Sequence, residues 1–237
     1  MIIGYSIFFV CFGIQLGFLY RVFGPLELYK SKNTVSVLNN PLWPKVSICI
    51  IVKNELENLR VLLPLLVSQS YDGEYDIHIV DDHSSDGTLH WLTAYKAEHE
   101  ILVHAHASEV TSLNGKKHAL SYALTLTMHD ILLMTDADCR PNSSHWISSM
   151  VDELGKNEDL VLGYSPYLTL PGTLNQLIQL ETTFTAWLYL GMTLNRSAFM
   201  GVGRNILYRT SILKKSNNLL KYKNVLSGDD EIGRAHV

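Results

Sequence analysis

The 237-residue chain has few cysteines, little charge and no excess of positive charge. Its three cysteines, Cys11, Cys49 and Cys139, are far apart and odd in number, so they form neither a disulfide framework nor a zinc-type spacing. Reduced thiols in a cytosolic domain are the simple reading. Charged residues make up 18% of the chain and the net charge is −4, so the broad basic surface that would grip nucleic acid is missing. There is no internal repeat and no low-complexity tract. The first β-prone run leads into Lys53-Asn54-Glu55 rather than a glycine-rich basic loop, which argues against a nucleotidyltransferase.

Hydrophobic residues, by contrast, make up 47% of the chain, enough for one sizeable domain and an appendage. Met1 to Tyr20 carries no charged side chain, and about 20 apolar residues of helix cross a bilayer core. A signal peptide fits less well, because no basic stretch precedes the run and no small-residue cleavage site follows it. Arg21, Lys30 and Lys32 come after it, which puts the downstream domain on the cytoplasmic side. The expected organisation is a transmembrane anchor over 1–22, a juxtamembrane connector over 23–44 marked by Pro25, Pro41 and Pro44, and a catalytic-type domain over 45–230.

Within that domain short apolar runs alternate with amphipathic stretches. Val46 to Val52 reads as a strand covered on both faces. Asn54 to Gln69 reads as a helix with Leu56, Leu59, Leu62, Leu63 and Leu66 on one side, and Pro64 predicts a kink in it. Further strands are expected at Tyr75 to Val80, Ile101 to Ala105 and Ile131 to Thr135, with a helix at His118 to Met128. This βαβα order implies an α/β fold with a mainly parallel sheet and its site at the carboxyl ends of the strands.

Asp81 and Asp82 follow one central strand, and Asp136 and Asp138 follow another. Asp229 and Asp230 lie near the chain's end. One such acid alone reads as a solvated turn or a helix cap, and Asp86 and Ser84 suit caps. Two strand-end clusters together suit a hard divalent cation, Mg²⁺ or Mn²⁺, and the diphosphate it would hold. Cys139 reads as a small hydrophobe rather than a ligand, because such an ion prefers oxygen.

The segments VSICIIVKNELENL, HIVDDHSSDGT, NGKKHALSYAL, LLMTDADCRP, GRNILYR and SGDD, in this order, resemble the inverting family 2 glycosyltransferases of GT-A fold, which include cellulose, chitin, hyaluronan and poly-N-acetylglucosamine synthases. The resemblance implies roles for particular residues. Glu55 would lie near the nucleotide's ribose or base, and Asp82 would pair with uracil if the donor is a UDP-sugar. Lys116 would face the ribose or diphosphate, Asp136 the ribose or a metal-bound water, and Asp138 would ligate the metal. Gly203, Arg204 and Asn205 would line the donor-sugar pocket. Asp230 would be the catalytic base, with Asp229 as its neighbouring alternative. A nucleotide-sugar donor, a glycan or lipid-linked acceptor and a membrane are the implied partners, without nucleic acid. His83 stands where many members carry glycine.

The family's Gln-x-x-Arg-Trp motif and later membrane helices do not follow Asp230. Residues 231–237 (EIGRAHV) read as a non-native tail, so a truncated C-terminus is expected, and a tethered, inactive nucleotide-sugar-binding fragment is the alternative function. A response-regulator receiver is a remote rival. A whole strand–helix unit precedes the Asp pair, and Lys116 lies before the second acidic strand end rather than after it. Thr173 to Asn195 is expected to serve core or membrane-interface packing, with Trp187 and Tyr189 as lesser candidates for stacking on sugar.

Overall fold

The computed structural model describes residues 2–29, 43–98, 103–107, 122, 124–127, 129–155 and 158–215. Its elements are α1 (Ile2–Leu28), β1 (Val46–Val52), α2 (Leu56–Val67), β2 (Tyr75–Asp81), α3 (Thr88–Glu98), β3 (Val103–Ala107), β4 (Ile131–Met134), α4 (Trp146–Glu153), β5 (Leu160–Leu162), α5 (Thr173–Leu194), a 3-10 turn (Gly203–Asn205), β6 (Ile206–Arg209) and α6 (Thr210–Lys215). They fall into two compact units, one around the sheet and one containing α1 and α5.

The sheet unit holds six strands in the order β3-β2-β1-β4-β6-β5. β3, β2, β1 and β4 run parallel, whereas β6 is antiparallel to both β4 and β5. The sheet is thus mixed and mostly parallel. β1 is almost wholly buried, as its unbroken VSICIIV sequence requires of a strand covered on both faces. On one face α2 buries Leu59, Leu62, Leu63 and Leu66, and α4 adds Ile147, Met150 and Val151. Each fully buried leucine contributes roughly 2 kcal/mol. The other face is filled by Cys49, Val80, Leu132, Ile206, Tyr208 and Leu213. Burial pushes the Cys49 thiol up to about 12, so it packs as an inert hydrophobe.

The α2 helix continues through Pro64 to Val67, because its leucine stripe is fully committed to the sheet. The third strand runs over Val103–Ala107, two residues past the end the apolar run suggested, and residues 101 and 102 lie outside the described residues. The helix expected over His118 to Met128 falls largely outside the described residues; Leu124 to Leu126 within it are helical.

In the other unit α1 is long and apolar enough to cross a membrane. It runs past residue 22, through Pro25, to Leu28. Packing against α5 explains that extension. Val22 is buried, and Phe23 lies 6.2 Å from Phe184 and 6.1 Å from Trp187, ring centre to ring centre. An added Cβ on Gly191 would run into the Val22 carbonyl oxygen, so only glycine permits this close approach of the two backbones.

Candidate functional site

Because β1, β2 and β4 are parallel, the loops that leave them emerge at one edge of the sheet. The register sets Val52 beside Asp81, so the loops after β1 and β2 start level with each other. Asn54 and His83 both adopt left-handed backbone, at φ 57° and φ 60°, and Gly87 does so at 90°. These turns let the two loops fold onto each other. The Asn54 amide N–H donates to Ser84 Oγ at 2.7 Å, and Ser85 N–H donates to Asn54 Oδ1 at 2.7 Å. Asp86 accepts from Thr88 N–H at the start of α3 and from Leu56 N–H at the start of α2. Asp86 is therefore a cap, and it caps two helices. The Thr88 hydroxyl bond is the main cause holding its carboxyl below the usual range. Ser84 serves as an inter-loop tie rather than a cap.

The loop after β4 is joined to the first by a polar chain. Asn58 Nδ2 donates to Glu55 Oε2 at 2.7 Å, and Arg140 Nη2 donates to Asn58 Oδ1 at 3.0 Å. Arg140 Nη1 also donates to the carbonyls of Ala137 and Cys139. One guanidinium thus holds the Asp136-Ala137-Asp138-Cys139 turn, which Cys139 N–H closes by donating to Asp136 O. Asp136 is half-buried and Asp138 exposed. The turn offers oxygen donors, and Cys139 is half-buried with its thiol shifted upward, chiefly by burial, so it is no competing thiolate. These residues fit a hard cation that keeps water and phosphate oxygens in its shell.

Antiparallel pairing brings one more segment to this edge. Ile206, the first residue of β6, stands beside Met134, the last residue of β4. The 3-10 turn Gly203–Asn205 precedes it directly. Asn205 is an anchor there: its side-chain oxygen accepts from Trp146 Nε1 at 3.1 Å and its carbonyl from Gly163 N–H at 2.9 Å. A Cβ on Gly163 would collide with the Asn205 amide.

Of the residues singled out in the sequence, Glu55, Asp82, Asp136, Asp138 and Gly203 to Asn205 therefore share one edge of the sheet. Lys116, Asp229 and Asp230 lie outside the described residues. Asp82 is half-buried, with Lys53 Nζ at 3.9 Å and His83 Nδ1 at 3.1 Å from its carboxylate. His83 itself is half-exposed beside it. Tyr189 is 3% exposed and so a packing residue, whereas Trp187 meets Phe23 edge-on and keeps 54% of its surface exposed.

A second group of ligand-type side chains lies roughly 13 Å back along β2, four residues before Asp82. Asp76, His78 and His104 place one ligand atom each within 4.8 Å of one another, a candidate divalent-cation cluster. His78 Nε2 is 3.1 Å from Asp76 Oδ2, and His78 Nδ1 is 3.3 Å from His106 Nε2. His129 joins from the far side, 3.4 Å from Asp76. The sequence carried a signal for it, the period-two pattern Asp76-x-His78 and His104-x-His106, which puts all four on one sheet face.

The profile described as Glycosyl transferase family 2 matches residues 47–216. A beta-monoglucosyldiacylglycerol synthase of Trichormus variabilis is 36% identical over 99 residues, which cover 41% of this chain and 21% of that protein. Glycosyltransferase AglE of Haloferax volcanii is 30% identical over 125 residues, 51% of this chain and 39% of that protein. The matched stretches thus span well under half of these curated relatives. Among solved structures, the mannosyltransferase PcManGT of Pyrobaculum calidifontis, in complex with GDP-Man and Mn²⁺, superposes with a TM-score of 0.61 at 18% identity, over 93% of this chain and 61% of that one. TarS 1-349 of S. aureus gives 0.50 at 21% identity, over 73% and 49%. Identities this low speak for a shared fold.

Proposed function

The chain belongs to glycosyl transferase family 2, and from that premise we propose that it has the GT-A fold and transfers a sugar from a nucleotide-sugar, a UDP-sugar by preference, to an acceptor hydroxyl at the cytoplasmic face of a membrane. The observation that carries this reading is the interlocked rim. Glu55, Asp82 and Asp136–Asp138 stand on three loops bound to one another through Asn54, Asn58 and Arg140. A polar rim cross-linked by its own side chains is suited to a diphosphate and its cation.

In this reading Asp82 accepts a hydrogen bond from the nucleotide base, and Glu55 and Asp136 address the ribose. Asp138 and Asp136 hold Mg²⁺ or Mn²⁺, and that ion, when bound, offsets charge on the departing diphosphate. Lys116 adds positive charge there. Gly203 and Arg204 border the donor sugar, with Asn205 holding their turn in place. Asp230, or its neighbour Asp229, takes the proton from the acceptor hydroxyl as it attacks opposite the leaving group. A single displacement inverts the anomeric carbon and needs one base. The relative named a beta-monoglucosyldiacylglycerol synthase agrees with a lipid acceptor.

Calorimetry on the full chain in detergent micelles tests the reading. UDP is expected to bind in the presence of Mn²⁺ and to be released by EDTA. Asp138→Asn is expected to weaken the metal-dependent binding at least tenfold, whereas Asp230→Asn leaves UDP affinity within about twofold. A folded protein that binds no UDP with either ion refutes the assignment.

A further inference from the structure

The unit containing α1 and α5 has an unusual distribution of polarity. Between Tyr164 and Asn195 the only charged residue is Glu181. In α5 the polar side chains Asn175, Gln179 and Thr183 recur every four residues and so form one stripe. In a water-facing helix that stripe would look outward. Here it is used internally, to hold the preceding strap. Asn175 Oδ1 accepts from Leu170 N–H at 2.8 Å, and Asn175 Nδ2 donates to Leu168 O at 3.1 Å. Gln179 Nε2 donates to Leu168 O at 3.4 Å, and Thr183 Oγ1 is 3.0 Å from the Tyr164 hydroxyl. The outward face carries large apolar side chains, Leu174 at 71% exposed, Leu177 at 62% and Leu180 at 67%, with Leu168 on the strap at 75%, and the exposed Glu181 stands among them. A contiguous apolar face of this kind marks a contact surface.

The position of this face identifies what covers it. It belongs to the same compact unit as α1, whose Phe8, Phe9 and Ile14 are exposed around the helix. Residues 2–20 of α1 span roughly 28 Å, close to the thickness of a bilayer core. The α5 contact begins immediately after, at Val22 and Phe23, and Asn195 Nδ2 donates to the Arg21 carbonyl at 2.6 Å. The cleft between the two helix ends is lined by Arg21, Tyr20, Tyr29 and Asn195, the cation-and-phenol chemistry of the headgroup level. Tyr164 and Tyr167, both exposed, add the aromatic composition of that layer.

We propose that α5 and the strap before it lie in the bilayer interface, with Leu168, Leu174, Leu177 and Leu180 dipped among the acyl chains, so that the protein holds the membrane by a spanning helix and a second, monotopic surface. The proposal depends on α1 spanning the bilayer and not on the transferase reading, since no nucleotide enters its test.

The test uses the full chain carrying Cys11→Ser and Cys139→Ser, reconstituted in phosphatidylcholine vesicles, with a thiol-reactive fluorophore at one introduced cysteine and nitroxide-labelled lipids as quenchers. Leu177→Cys is expected to be quenched at least twofold more than Glu57→Cys on the sheet unit, and more by a shallow 5-doxyl lipid than by a 12-doxyl one. Phe9→Cys is expected to show the opposite depth order. Leu174→Cys repeats the measurement in case the first variant disturbs the helix. Quenching at Leu177 and Leu174 no greater than at Glu57 overturns the proposal. So does a blue-shifted label that lipid quenchers fail to reach, because protein rather than lipid would then cover the face.

Discussion

Asn54 has a conformational and a bonding role. Its left-handed backbone turns the chain out of β1, and its side chain receives the Ser85 amide. Alanine forfeits both, since an L residue without a local hydrogen bond is strained there. Asn54→Ala is expected to cost about 1–2 kcal/mol of stability, seen as a lowered melting temperature of the full chain. It is also expected to weaken UDP binding several-fold without altering the carboxylates. The carboxylates themselves were legible in the sequence, because acids just past an apolar run stand out. The partners that fix them were not. Asn54 and Ser84, or Asn58 and Arg140, meet across the sheet edge, and a contact between distant segments leaves no periodic trace.

Among the elements, the parallel strands announced themselves by continuous apolar runs, and the leucine stripe of α2 outweighed its proline. β5 and β6 escaped notice because LVL and ILYR are too short to show a period, and nothing local signals an antiparallel insertion. The end of the third strand was placed early because His104 and His106 interrupt its apolar side. The stretch Thr173 to Asn195, expected to pack in the core or at a membrane interface, forms α5. Its contact with α1 depends on Gly191. Gly191→Leu is expected to push the helices apart at a cost of about 1–3 kcal/mol. A cross-link between cysteines introduced at Val22 and Leu194 would report the separation as a fall in yield, and an unchanged yield would show that glycine is dispensable there.

For the molecule as a whole, pH acts through the histidine cluster. Burial, then the charges of His78, His104 and Lys96, lowers His106 to about 4. His104 is lowered as well, chiefly by burial. The unfolded chain takes up these protons near pH 6.5, whereas the folded one resists until lower pH. Stability is therefore full above about pH 6.5 and declines as pH falls from there toward about 4. Burial raises the Asp76 carboxyl, but hydrogen bonds from His78 and Ser47 and the charges of His78 and His129 outweigh it and lower it overall. Its contribution disappears at still more acid pH. His106 is about half exposed, so screening reduces its share to about 1 kcal/mol. Thermal unfolding between pH 7 and 4.5 is expected to show this slope, and His106→Asn is expected to flatten it. A slope left wholly unchanged by the substitution would place the linkage elsewhere.

The backward course of β6 has a consequence for how such a chain can change. The polypeptide leaves the rim at Asp138 and returns to it at Gly203, and the return is fixed by the pairing of Ile206 with Met134. The stretch Tyr164–Gly201 within this return belongs to the other compact unit and is a detour moored at both ends. Insertions or replacements within it would leave the two moorings where they are, so a descendant could be fitted to a different membrane while the interlocked rim stayed unaltered.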